Sequence, residues 1–502
     1  MYQIIRLNTK DNIAVSPMVI PKDSFINDFN ITTTNEIPLG HKISLEKIIQ
    51  GEKILKYGQI IGIAKKNIQV GEHVHLHNLC FADFDRIYTS SKKNITAKKS
   101  SKISTFQGIV RKNKTTGTRN YIGIISTVNC SATVVKVIAD TMNNYLIKSN
   151  KFPNIDGVVC LKHSTGCGMN TNGDGMTIFN RTIEGFKKHP NFSHVFIIGL
   201  GCECAQISMF QEQDKENNIV YLNIQDEGGT KKIIDKSCAL IKNILFEANN
   251  VKRVPRPISE LIVGLQCGGS DAYSGITSNP ALGYASDMII QHGGSSILAE
   301  TPEIYGAEHL IINKIKDETL IKKLTEHIEW WKNYTKINGS TMDNNPTPGN
   351  KKGGITTILE KSLGAVAKGG SSIIVDVLNY SESIKNKGFN FMNSPGYDPV
   401  SVTGQVASGS NIICFTTGRG SCFGCKPTPS IKISSNTKMY NHMKEDMDIN
   451  SGTIMDGLET LEDNGKIIFE KIINIASGEK TKSEINGYGD DEFNPWIVGA
   501  TM

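Results

Sequence analysis

The sequence predicts an α/β fold in which a small N-terminal β domain precedes a large region with a mostly parallel sheet, divided into two subdomains. Two observations predict this architecture. Residues 1–88 contain short apolar runs separated by glycines, a pattern typical of a small β domain. From residue 106 onward, continuous apolar runs alternate with longer helical patterns, which is typical of strands buried on both faces of an α/β layer. The length of 502 residues allows about three domains of ~150 residues each.

The first domain is predicted to end near residue 88. Gly40, Gly58 and Gly71 interrupt its apolar runs at short intervals, and glycine at such positions marks tight turns between short strands. Residues 89–105 follow as a basic linker, because they are rich in lysine and poor in apolar residues. We therefore expect a polar connection between the β domain and the rest of the chain.

Residues 106–252 and 253–502 are predicted to form the two α/β subdomains. The boundary is placed at Pro255 and Pro257, because two prolines this close interrupt regular structure. The polar residues 343–352 predict a surface loop or lid. Eight apolar runs have the length of buried strands, namely residues 121–128, 157–161, 195–200, 219–224, 261–265, 296–299, 372–378 and 411–415.

The composition indicates a globular protein, with 38% hydrophobic and 21% charged residues. No stretch approaches ~20 consecutive apolar residues, and the polar start lacks the apolar core of a signal peptide, so we expect no membrane segment and a cytoplasmic location. Eleven cysteines in such a chain are expected to be reduced. The net charge of +6 comes from scattered lysines, so binding to nucleic acid is not expected.

Reactive side chains follow several of the predicted strands. The carboxyl ends of parallel strands meet at one edge of a sheet, where ligands of open α/β folds bind. Three cysteines beside glycines could hold iron or part of an iron–sulfur cluster there, or could lie apart, because the sequence gives only their order. The residues at these ends are Cys167, Cys202, Cys267, Asp271, Glu300 and Arg419.

A second group of candidate ligands lies near the end of the first domain. His73, His75 and His77 alternate with apolar residues and are followed by Asn78. Residues two apart on a strand project to the same face, so three imidazoles at this spacing predict a site for a divalent metal or for substrate. The alternative is the polar outer face of an edge strand. Because a small β domain alone has no evident pocket, this strand is expected to face the larger region.

Taken together, these motifs resemble the altronate/galactarate dehydratase family. The resemblance covers almost the whole chain, and the combination of motifs is highly specific. The matching segments are GEHVHLHN (71–78), HSTGCG (163–168), GLGCE (199–203), LQCGGSDAYSGITSNPALG (265–283), LAETPEIYGAEH (298–309), GNKKGG (349–354) and FTTGRGSCFGCKPTPSIKISSNT (415–437).

The resemblance implies an N-terminal SAF-type β-clip domain and a hydro-lyase that removes water from a sugar acid, with Fe²⁺ or Mn²⁺ as cofactor. The implied reaction converts D-altronate to 2-dehydro-3-deoxy-D-gluconate by abstraction of the alpha proton and loss of the C3 hydroxyl. Galactarate and sulfolactate are alternative substrates. A non-catalytic sugar-acid binding protein or an iron–sulfur protein is the alternative from another class. The expected partner is a small sugar acid, and a homodimer is expected for an enzyme of this size.

Candidate roles follow from the resemblance and from side-chain chemistry. Metal ligands are expected among His73, His75 and His77, with Cys167, Cys202 and Cys267 as alternative iron ligands. Candidate acid–base groups are His163, Asp271, His292 and Glu300. Substrate contacts are expected from Asn78, Ser270, Arg419 and Lys426, and the guanidinium of Arg419 is suited to bidentate contact with a carboxylate.

Overall fold

A computed structural model describes residues 2–84, 104–211 and 218–502. Within these ranges the chain forms three successive units, a small β domain and two α/β units. The predicted fold class is confirmed. The predicted basic linker, residues 89–105, lies outside the described residues except for its last two positions.

The N-terminal unit consists of short antiparallel strands. Gly71 has a φ of +78°, and a Cβ there would lie 2.0 Å from the carbonyl oxygen of Thr32, so only glycine fits this turn. The strands are β1 (Ile13–Val15), β2 (Phe25–Ile26), β3 (Ile31–Thr32), β4 (Lys42–Ser44), β5 (Lys53–Lys56), β6 (Gln59–Ala64), β7 (His73–Val74) and β8 (Leu79–Cys80). They form sheets with the orders β1-β4-β7 and β5-β6-β8 and the pair β2-β3.

The second unit contains a parallel sheet between helices. Its strands are β9 (Thr105–Val110), β10 (Thr116–Gly117), β11 (Tyr121–Ser126), β12 (Gly157–Leu161), β13 (Phe192–Gly199), β14 (Ile219–Asn223) and β15 (Arg253–Pro257). Its helices are α1 (Ala132–Ser149), α2 (Asp174–Lys187), α3 (Ser208–Gln211) and α4 (Thr230–Asn249). The parallel sheet has the order β12-β11-β13-β14. Ile122 and Ile124 face α1 and α4, whereas Ile125 faces α2, so both faces are covered.

The two prolines expected to interrupt regular structure lie in a strand. Pro255 and Pro257 belong to β15, which pairs antiparallel with β9 at the edge of the small sheet β10-β9-β15. Proline is tolerated there because an edge strand needs hydrogen bonds on one side only. The pairing joins the end of the second unit to its beginning.

The third unit is built on a seven-stranded parallel sheet. Its strands are β16 (Ile262–Cys267), β17 (Ser295–Leu298), β18 (Ile374–Leu378), β19 (Phe389–Met392), β20 (Ile412–Thr417), β21 (Ser430–Ser434) and β22 (Ile449–Asn450). Its helices are α5 (Ser278–Gln291), α6 (Glu308–Ile312), α7 (Glu318–Ile337), α8 (Pro348–Lys352), α9 (Ile358–Ala365), α10 (Asp398–Ala407), α11 (Thr437–His442), α12 (Leu461–Ala476) and α13 (Lys482–Ile485).

The strand order of this sheet is β18-β19-β17-β16-β20-β21-β22, and every pair is parallel. Alternate residues of β20 pack into two different cores, Ile412 and Cys414 with α5 and α12, and Ile413 and Phe415 with α10 and α2. Each of the eight predicted apolar runs overlaps a strand. No helix in the described part of the chain combines the length and apolar character needed to cross a bilayer.

Buried ion pairs join the β domain to the third unit. Glu360 on α9 accepts hydrogen bonds from the ammonium groups of Lys42 and Lys56, each at 2.8 Å, and the three side chains are at most 2% exposed. Lys42 also donates to the carbonyl oxygen of Gly354 at 2.5 Å. These contacts fix β4 and β5 against α9, and they place the histidine-rich turn of the β domain beside the third unit.

Candidate functional site

Four histidine rings cluster where the β domain meets the third unit. The ring centroids of His41 and His75 are 4.8 Å apart, those of His73 and His75 are 5.7 Å apart, and those of His73 and His77 are 5.3 Å apart. His41 Nδ1 lies 3.0 Å from His73 Nε2. The structure therefore brings together the three histidines predicted as ligands and adds His41. The sequence offered no signal for His41, because no other ligand type is nearby in the chain.

The strand predicted to carry these histidines is shorter than expected. β7 ends at Val74, and a turn follows in which Asn78 Oδ1 accepts the backbone N–H of His75 at 2.9 Å. The Asn78 amide donates to Glu72 Oε1 at 3.1 Å and to the carbonyl oxygen of His73 at 2.9 Å. Asn78 is fully buried, and these hydrogen bonds all lie within the turn. Asn78 therefore stabilises this turn, and its predicted substrate contact stays a prediction.

The histidine cluster contacts the C-terminal end of α8. His75 Nε2 lies 2.9 Å from the carbonyl oxygen of Lys351, and His41 Nε2 lies 3.2 Å from that of Lys352. The last carbonyl groups of a helix have no intrahelical partner, so these imidazoles satisfy them. Residues 343–352, predicted as a surface loop or lid, thus include the helix α8, whose last residues contact the β domain.

The cluster is neutral at physiological pH. Burial and the neighbouring His41 lower the pKa of His73 to about 3, and burial and the Lys42 ammonium lower the pKa of His75 to about 4. Neutral imidazole is the form that binds metals. A histidine whose one nitrogen donates to a backbone carbonyl keeps the other as an acceptor, an arrangement common among metal-bound histidines. The donor set therefore fits a divalent cation such as Fe²⁺.

Arg419 lies on the opposite side of the loop that follows α8. A Cβ built on Gly353 would lie 3.3 Å from Arg419 Cδ, and one built on Gly40 of the β domain would lie 3.5 Å from the Gly353 carbonyl oxygen. The exposed guanidinium of Arg419 has no hydrogen-bond or ion-pair partner among the described residues. An unpaired guanidinium at this position is suited to bind a carboxylate.

Asp271 lies in the seam where the β domain meets the third unit. Its carboxylate accepts from Ser435 Oγ at 2.8 Å, from Asn436 Nδ2 at 3.0 Å and from the backbone N–H of Tyr273 at 3.1 Å. Burial raises the pKa of Asp271, but both of its oxygens are already occupied by donors. These hydrogen bonds hold Asp271 in place, and its predicted acid–base role stays a prediction.

Ser270 is also buried beside α8. It is 4% exposed, and its carbonyl oxygen accepts from Asn350 Nδ2 at 2.8 Å. Asn350 in turn forms the capping box of α8 with Thr347. Ser270 thus contacts the N-terminal turn of α8, and its predicted contact with substrate stays a prediction.

A second cluster of ionisable groups is buried at the carboxyl ends of β16 and β17. Cys267 Sγ lies 2.8 Å from Lys368 Nζ and 3.6 Å from Glu303 Oε2. Glu303 pairs with Lys361 at 2.7 Å, and Lys368 Nζ lies 3.7 Å from Glu300 Oε2. The four ion-pair side chains are at most 10% exposed. Cys267 and Glu300 were predicted from their strand ends, whereas both lysines lie far away in the sequence.

Two features of this cluster point in different directions. One ligand atom each from Cys267, Glu300 and Glu303 lies within 4.8 Å of the others, which is compatible with one bound ion. However, the ammonium groups of Lys361 and Lys368 already neutralise these carboxylates and would repel a divalent cation. Burial also raises the pKa of Cys267 to about 12, so its thiol keeps the proton. Cys267 is therefore a possible ligand by distance, but the charges favour an acid–base network.

Asp398 extends this network towards solvent. Asp398 lies directly against Gly268, since a Cβ built on this glycine would be 2.0 Å from Asp398 Oδ2. Burial and the charge of Glu303 raise the pKa of Asp398 to about 7. Burial and Glu303 also raise the pKa of Glu300 well above its usual range. Glu300 is fully buried with a φ of +75°, whereas Asp398 is half-buried. Asp398 was missed because it lies in no recognisable motif.

Two predicted acid–base histidines lie elsewhere. His163 is buried in the second unit, with Nε2 2.8 Å from the carbonyl oxygen of Ser126 and Nδ1 accepting the backbone N–H of Thr165 at 3.2 Å. Neither ring nitrogen is therefore free. His292 lies between α5 and β17, at the amino edge of the seven-stranded sheet, and stacks on Phe469. The structure thus places both histidines away from the carboxyl edge of that sheet, and their predicted acid–base roles stay predictions.

Lys426 is already paired. Its ammonium group contacts both carboxylate oxygens of Asp490, at 2.8 and 2.9 Å. It lines a groove of about 570 Å³ with Tyr121, Lys162 and Asp491, and neither the histidine cluster nor Arg419 lines that groove. Lys426 is thus paired with Asp490 in this groove, and its predicted role as a second anion contact stays a prediction.

The three cysteines predicted as alternative iron ligands divide between two sheets. Cys267 ends β16 and is buried in the third unit. Cys167 and Cys202 follow β12 and β13 of the second unit and are exposed. Cys130, which follows β11, is exposed at the same edge. The sequence could not separate these positions, because the strands of both sheets end in similar glycine-rich segments.

Comparisons with known proteins cover nearly the whole chain. Three family descriptions match in succession, "Altronate/galactarate dehydratase SAF domain" over residues 2–82, "D-galactarate dehydratase/Altronate hydrolase, second domain" over residues 108–249 and "D-galactarate/Altronate dehydratase, C-terminal" over residues 258–501. Altronate dehydratase of Bacillus subtilis is 33% identical over 97% of this chain and 98% of its own length. Altronate dehydratase of Escherichia coli is 34% identical over 97% of each chain. Galactarate dehydratase (L-threo-forming) of Escherichia coli is 36% identical over 88% of this chain and 87% of its own.

Proposed function

The chain belongs to the D-galactarate/altronate dehydratase family, and from that premise we propose that it converts D-altronate to 2-dehydro-3-deoxy-D-gluconate. Membership of the family makes it a hydro-lyase that acts on a sugar acid. Two relatives named altronate dehydratase align over 97% of the chain, whereas the relative named galactarate dehydratase aligns over 88%. This difference supports D-altronate as the substrate and leaves galactarate as the second candidate.

The convergence of neutral histidines and an unpaired guanidinium across one seam carries the proposal. A sugar acid presents a carboxylate at one end and hydroxyl groups along its chain. The planar fork of Arg419 matches a carboxylate with two parallel hydrogen bonds. The imidazoles of His41 and His75 contact the carbonyl oxygens of Lys352 and Lys351, which immediately precede Gly353. The seam therefore offers both kinds of contact that the substrate requires.

A divalent metal, Fe²⁺ or Mn²⁺, would be held by His73, His75 and His77. When bound, the metal supplies Lewis acidity that stabilises negative charge developing on the substrate. His75 and His41 donate to the carbonyl oxygens of Lys351 and Lys352. These hydrogen bonds orient both rings before any ligand arrives, which lowers the cost of organising the site.

A general base is also required, because the alpha proton of a carboxylate is weakly acidic. Asp398 is the best-placed carboxylate, since it is half-buried, has a pKa of about 7 and lies against Gly268. The carbonyl oxygen of the adjacent Gly269 accepts the backbone N–H of Arg419 at 2.8 Å, so residues 268–269 contact both Asp398 and the backbone of Arg419. Glu300 is fully buried, and burial together with the nearby Glu303 raises its pKa well above the usual range.

A substrate panel tests the proposal. The full chain is assayed with D-altronate, galactarate and sulfolactate, each with Fe²⁺, Mn²⁺ or Mg²⁺, and 2-keto acid is measured as its semicarbazone. D-altronate with Fe²⁺ is expected to give the highest kcat/KM, and chelation should remove activity that Fe²⁺ restores. Higher kcat/KM with galactarate would overturn the assigned substrate. Binding of D-altronate without keto acid under every condition would favour a non-catalytic sugar-acid binding protein.

A further inference from the structure

Three exposed cysteines end three neighbouring strands of the second unit and take no part in the proposed site. Cys130 follows β11, Cys167 follows β12 and Cys202 follows β13, and these strands are adjacent in the order β12-β11-β13. The three thiols are free and exposed. Because the strands are parallel, their carboxyl ends share one edge of the sheet. The sheet therefore delivers three thiols to the same side of this unit.

Backbone hydrogen bonds tie the three loops into one platform. The N–H of Asn129 donates to the carbonyl oxygen of Thr165 at 3.0 Å, which joins the loops that carry Cys130 and Cys167. The N–H of Ala205 donates to the carbonyl oxygen of Gly166 at 3.2 Å, which joins the loops that carry Cys167 and Cys202. Each of these bonds lies within three residues of a cysteine. The relative positions of the loops are thus fixed by the backbone.

Two buried ionisable residues that the proposed mechanism does not use hold this platform. Glu203 Oε1 accepts from Thr127 Oγ1 at 2.6 Å and from the backbone N–H of Leu200 at 3.1 Å, which joins the loops after β11 and β13. His163 contacts Ser126 and Thr165, which joins the loops after β11 and β12. Burying a carboxylate and an imidazole is costly unless both are hydrogen-bonded, and here their hydrogen bonds define the shape of the platform.

Glycines beside two of the cysteines allow the loops to pack closely. Gly166 has a φ of +103°, and a Cβ there would lie 2.1 Å from the carbonyl oxygen of Thr127, so the loops pack too closely for a side chain beside Cys167. Gly201, beside Cys202, has a φ of +125°. Gln225 Nε2 lies 3.5 Å from Cys202 Sγ and donates towards it. Such N–H···S contacts stabilise negative charge on a metal-bound sulfur.

We propose that Cys130, Cys167 and Cys202 bind an iron–sulfur cluster. Three thiolates are soft ligands that suit iron. Among the described residues, only the Cys267 group has three ligand atoms within 4.8 Å of one another, so the three sulfurs of the platform are spread more widely. A single tetrahedral zinc ion with Zn–S bonds of ~2.3 Å needs sulfurs about 3.8 Å apart. A cluster accepts the wider spread because each thiolate binds a different iron.

This assignment goes beyond the proposed dehydration and does not depend on it. The cluster differs from the one considered from the sequence alone, because Cys130 replaces Cys267 as the third ligand. In a four-iron cluster held by three cysteines, one iron has no protein thiolate. That iron is open to an oxygen ligand, such as a carboxylate or a hydroxyl group of a small acid.

The metal content of the full chain tests the assignment. Protein purified without oxygen, or reconstituted anaerobically with ferrous iron and sulfide, is expected to contain about four iron and four acid-labile sulfide per chain, with the broad visible absorption of a cluster. Cys130→Ser, Cys167→Ser and Cys202→Ser should each lose most of the sulfide and absorption. Cys80→Ser is the matched control, a partly exposed cysteine of the β domain, and should keep both.

Alkylation provides a second readout that needs no variant. Iodoacetamide should label Cys130, Cys167 and Cys202 in the metal-free chain and leave them unlabelled after reconstitution, whereas Cys80 should be labelled equally in both states. The assignment is overturned if the reconstituted chain holds iron without sulfide, if it holds stoichiometric zinc instead, or if the three cysteines are labelled equally with and without iron and sulfide.

Discussion

Arg419 and Lys426 show how much one contact changes the role of a basic residue. Both follow β20 in the same glycine-rich segment, and both are positively charged. Lys426 is neutralised by Asp490 at 2.8 Å, whereas the guanidinium of Arg419 has no partner among the residues that the structure describes. Only an unpaired cation gains the full attraction of a substrate carboxylate, so we assign substrate binding to Arg419 alone.

Replacing Arg419 tests this assignment. Arg419→Gln is expected to lower kcat/KM for D-altronate by about 100-fold, because a charge-assisted bidentate contact contributes roughly 2–3 kcal/mol. Steady-state kinetics with D-altronate measures the effect. Lys426→Gln is the control and should stay within about twofold of the wild type. Equal losses in the two variants would contradict the assignment.

The activity is expected to depend on pH through Asp398. A general base acts in its deprotonated form, so kcat/KM should rise as the pH increases through about 7, the pKa of Asp398. Asp398→Asn should lower kcat/KM by about 10²–10⁴-fold and remove this rise. Asp140→Asn, which changes an exposed carboxylate on α1, should leave the profile unchanged. An unaltered rise in Asp398→Asn would assign the titration to another group.

His75 is expected to be essential for metal binding. His75→Ala should remove turnover and reduce bound Fe²⁺, because it deletes a ligand and also the hydrogen bond to the Lys351 carbonyl oxygen. Elemental analysis and steady-state kinetics measure both effects. His292→Ala should retain both, since His292 lies at the amino edge of the seven-stranded sheet. Full turnover and metal content in His75→Ala would reject the role of the histidine cluster.

At the level of elements, the short strand β7 shows that the predicted histidines come together for a reason that the spacing alone does not give. A spacing of two residues places His73 and His75 on one face only if both lie in a continuous strand. However, β7 ends at Val74. The following turn, held by Asn78, still gathers His75 and His77 beside His73. His41, from the segment before β4, completes the group because β4 pairs with β7.

The contact between β4, β5 and α9 depends on one carboxylate. Burial by itself would raise the pKa of Glu360, but the ammonium groups of the two lysines outweigh this effect and hold the pKa well below its usual range. The carboxylate therefore stays charged at neutral pH. Glu360→Gln would leave two buried ammonium groups facing a neutral amide. Breaking a buried ion pair by removing one partner costs about 3–5 kcal/mol, so a loss of this size in the free energy of unfolding is expected.

Urea unfolding of Glu360→Gln measures that loss. Glu36→Gln is the control, because Glu36 is an exposed carboxylate of the same β domain and should change the free energy of unfolding by less than about 0.5 kcal/mol. The variant should also lose activity, since the same contact holds the histidines against α8. A loss of stability below about 1 kcal/mol would show that the ion pairs do not hold the seam.

At the level of the whole molecule, the β domain and the third unit share one apolar core. Ile54 and Ile61 of the β domain pack in the same core as Leu265 and Leu359 of the third unit. The buried lysines at this seam add to that contact. An interface that is both apolar and ion-paired is typical of parts that act as one body, so we expect the β domain to associate without a covalent link.

A split chain tests this expectation. Residues 1–90 and 104–502, produced together as two chains, should copurify and regain dehydratase activity. Glu360→Gln in the larger chain should weaken copurification, because it removes the partner of both buried lysines. Activity of the larger chain alone would contradict a role for the histidines. The expected homodimer stays a prediction, which light scattering of the intact chain checks.

The sequence by itself determined the order of elements and most of the residue types at the site. Continuous apolar runs predicted eight strands that the structure contains. A strand that is buried on both faces needs apolar side chains at successive positions, so its burial is visible in the local sequence. The glycine-rich strand ends and the histidine repeat were also visible, and the family resemblance rested on them. These features are local, and neighbours in the chain determine them.

Only the tertiary structure decided which of these residues meet. It brought His41 to the other histidines, placed Lys368 against Cys267, paired Lys426 with Asp490 and moved His292 to the opposite edge of the sheet. Each of these relations joins residues brought together by the packing of whole sheets and helices. Such contacts depend on strand order, which the chain sets through all of its packed faces at once. No local pattern of side chains carries that information.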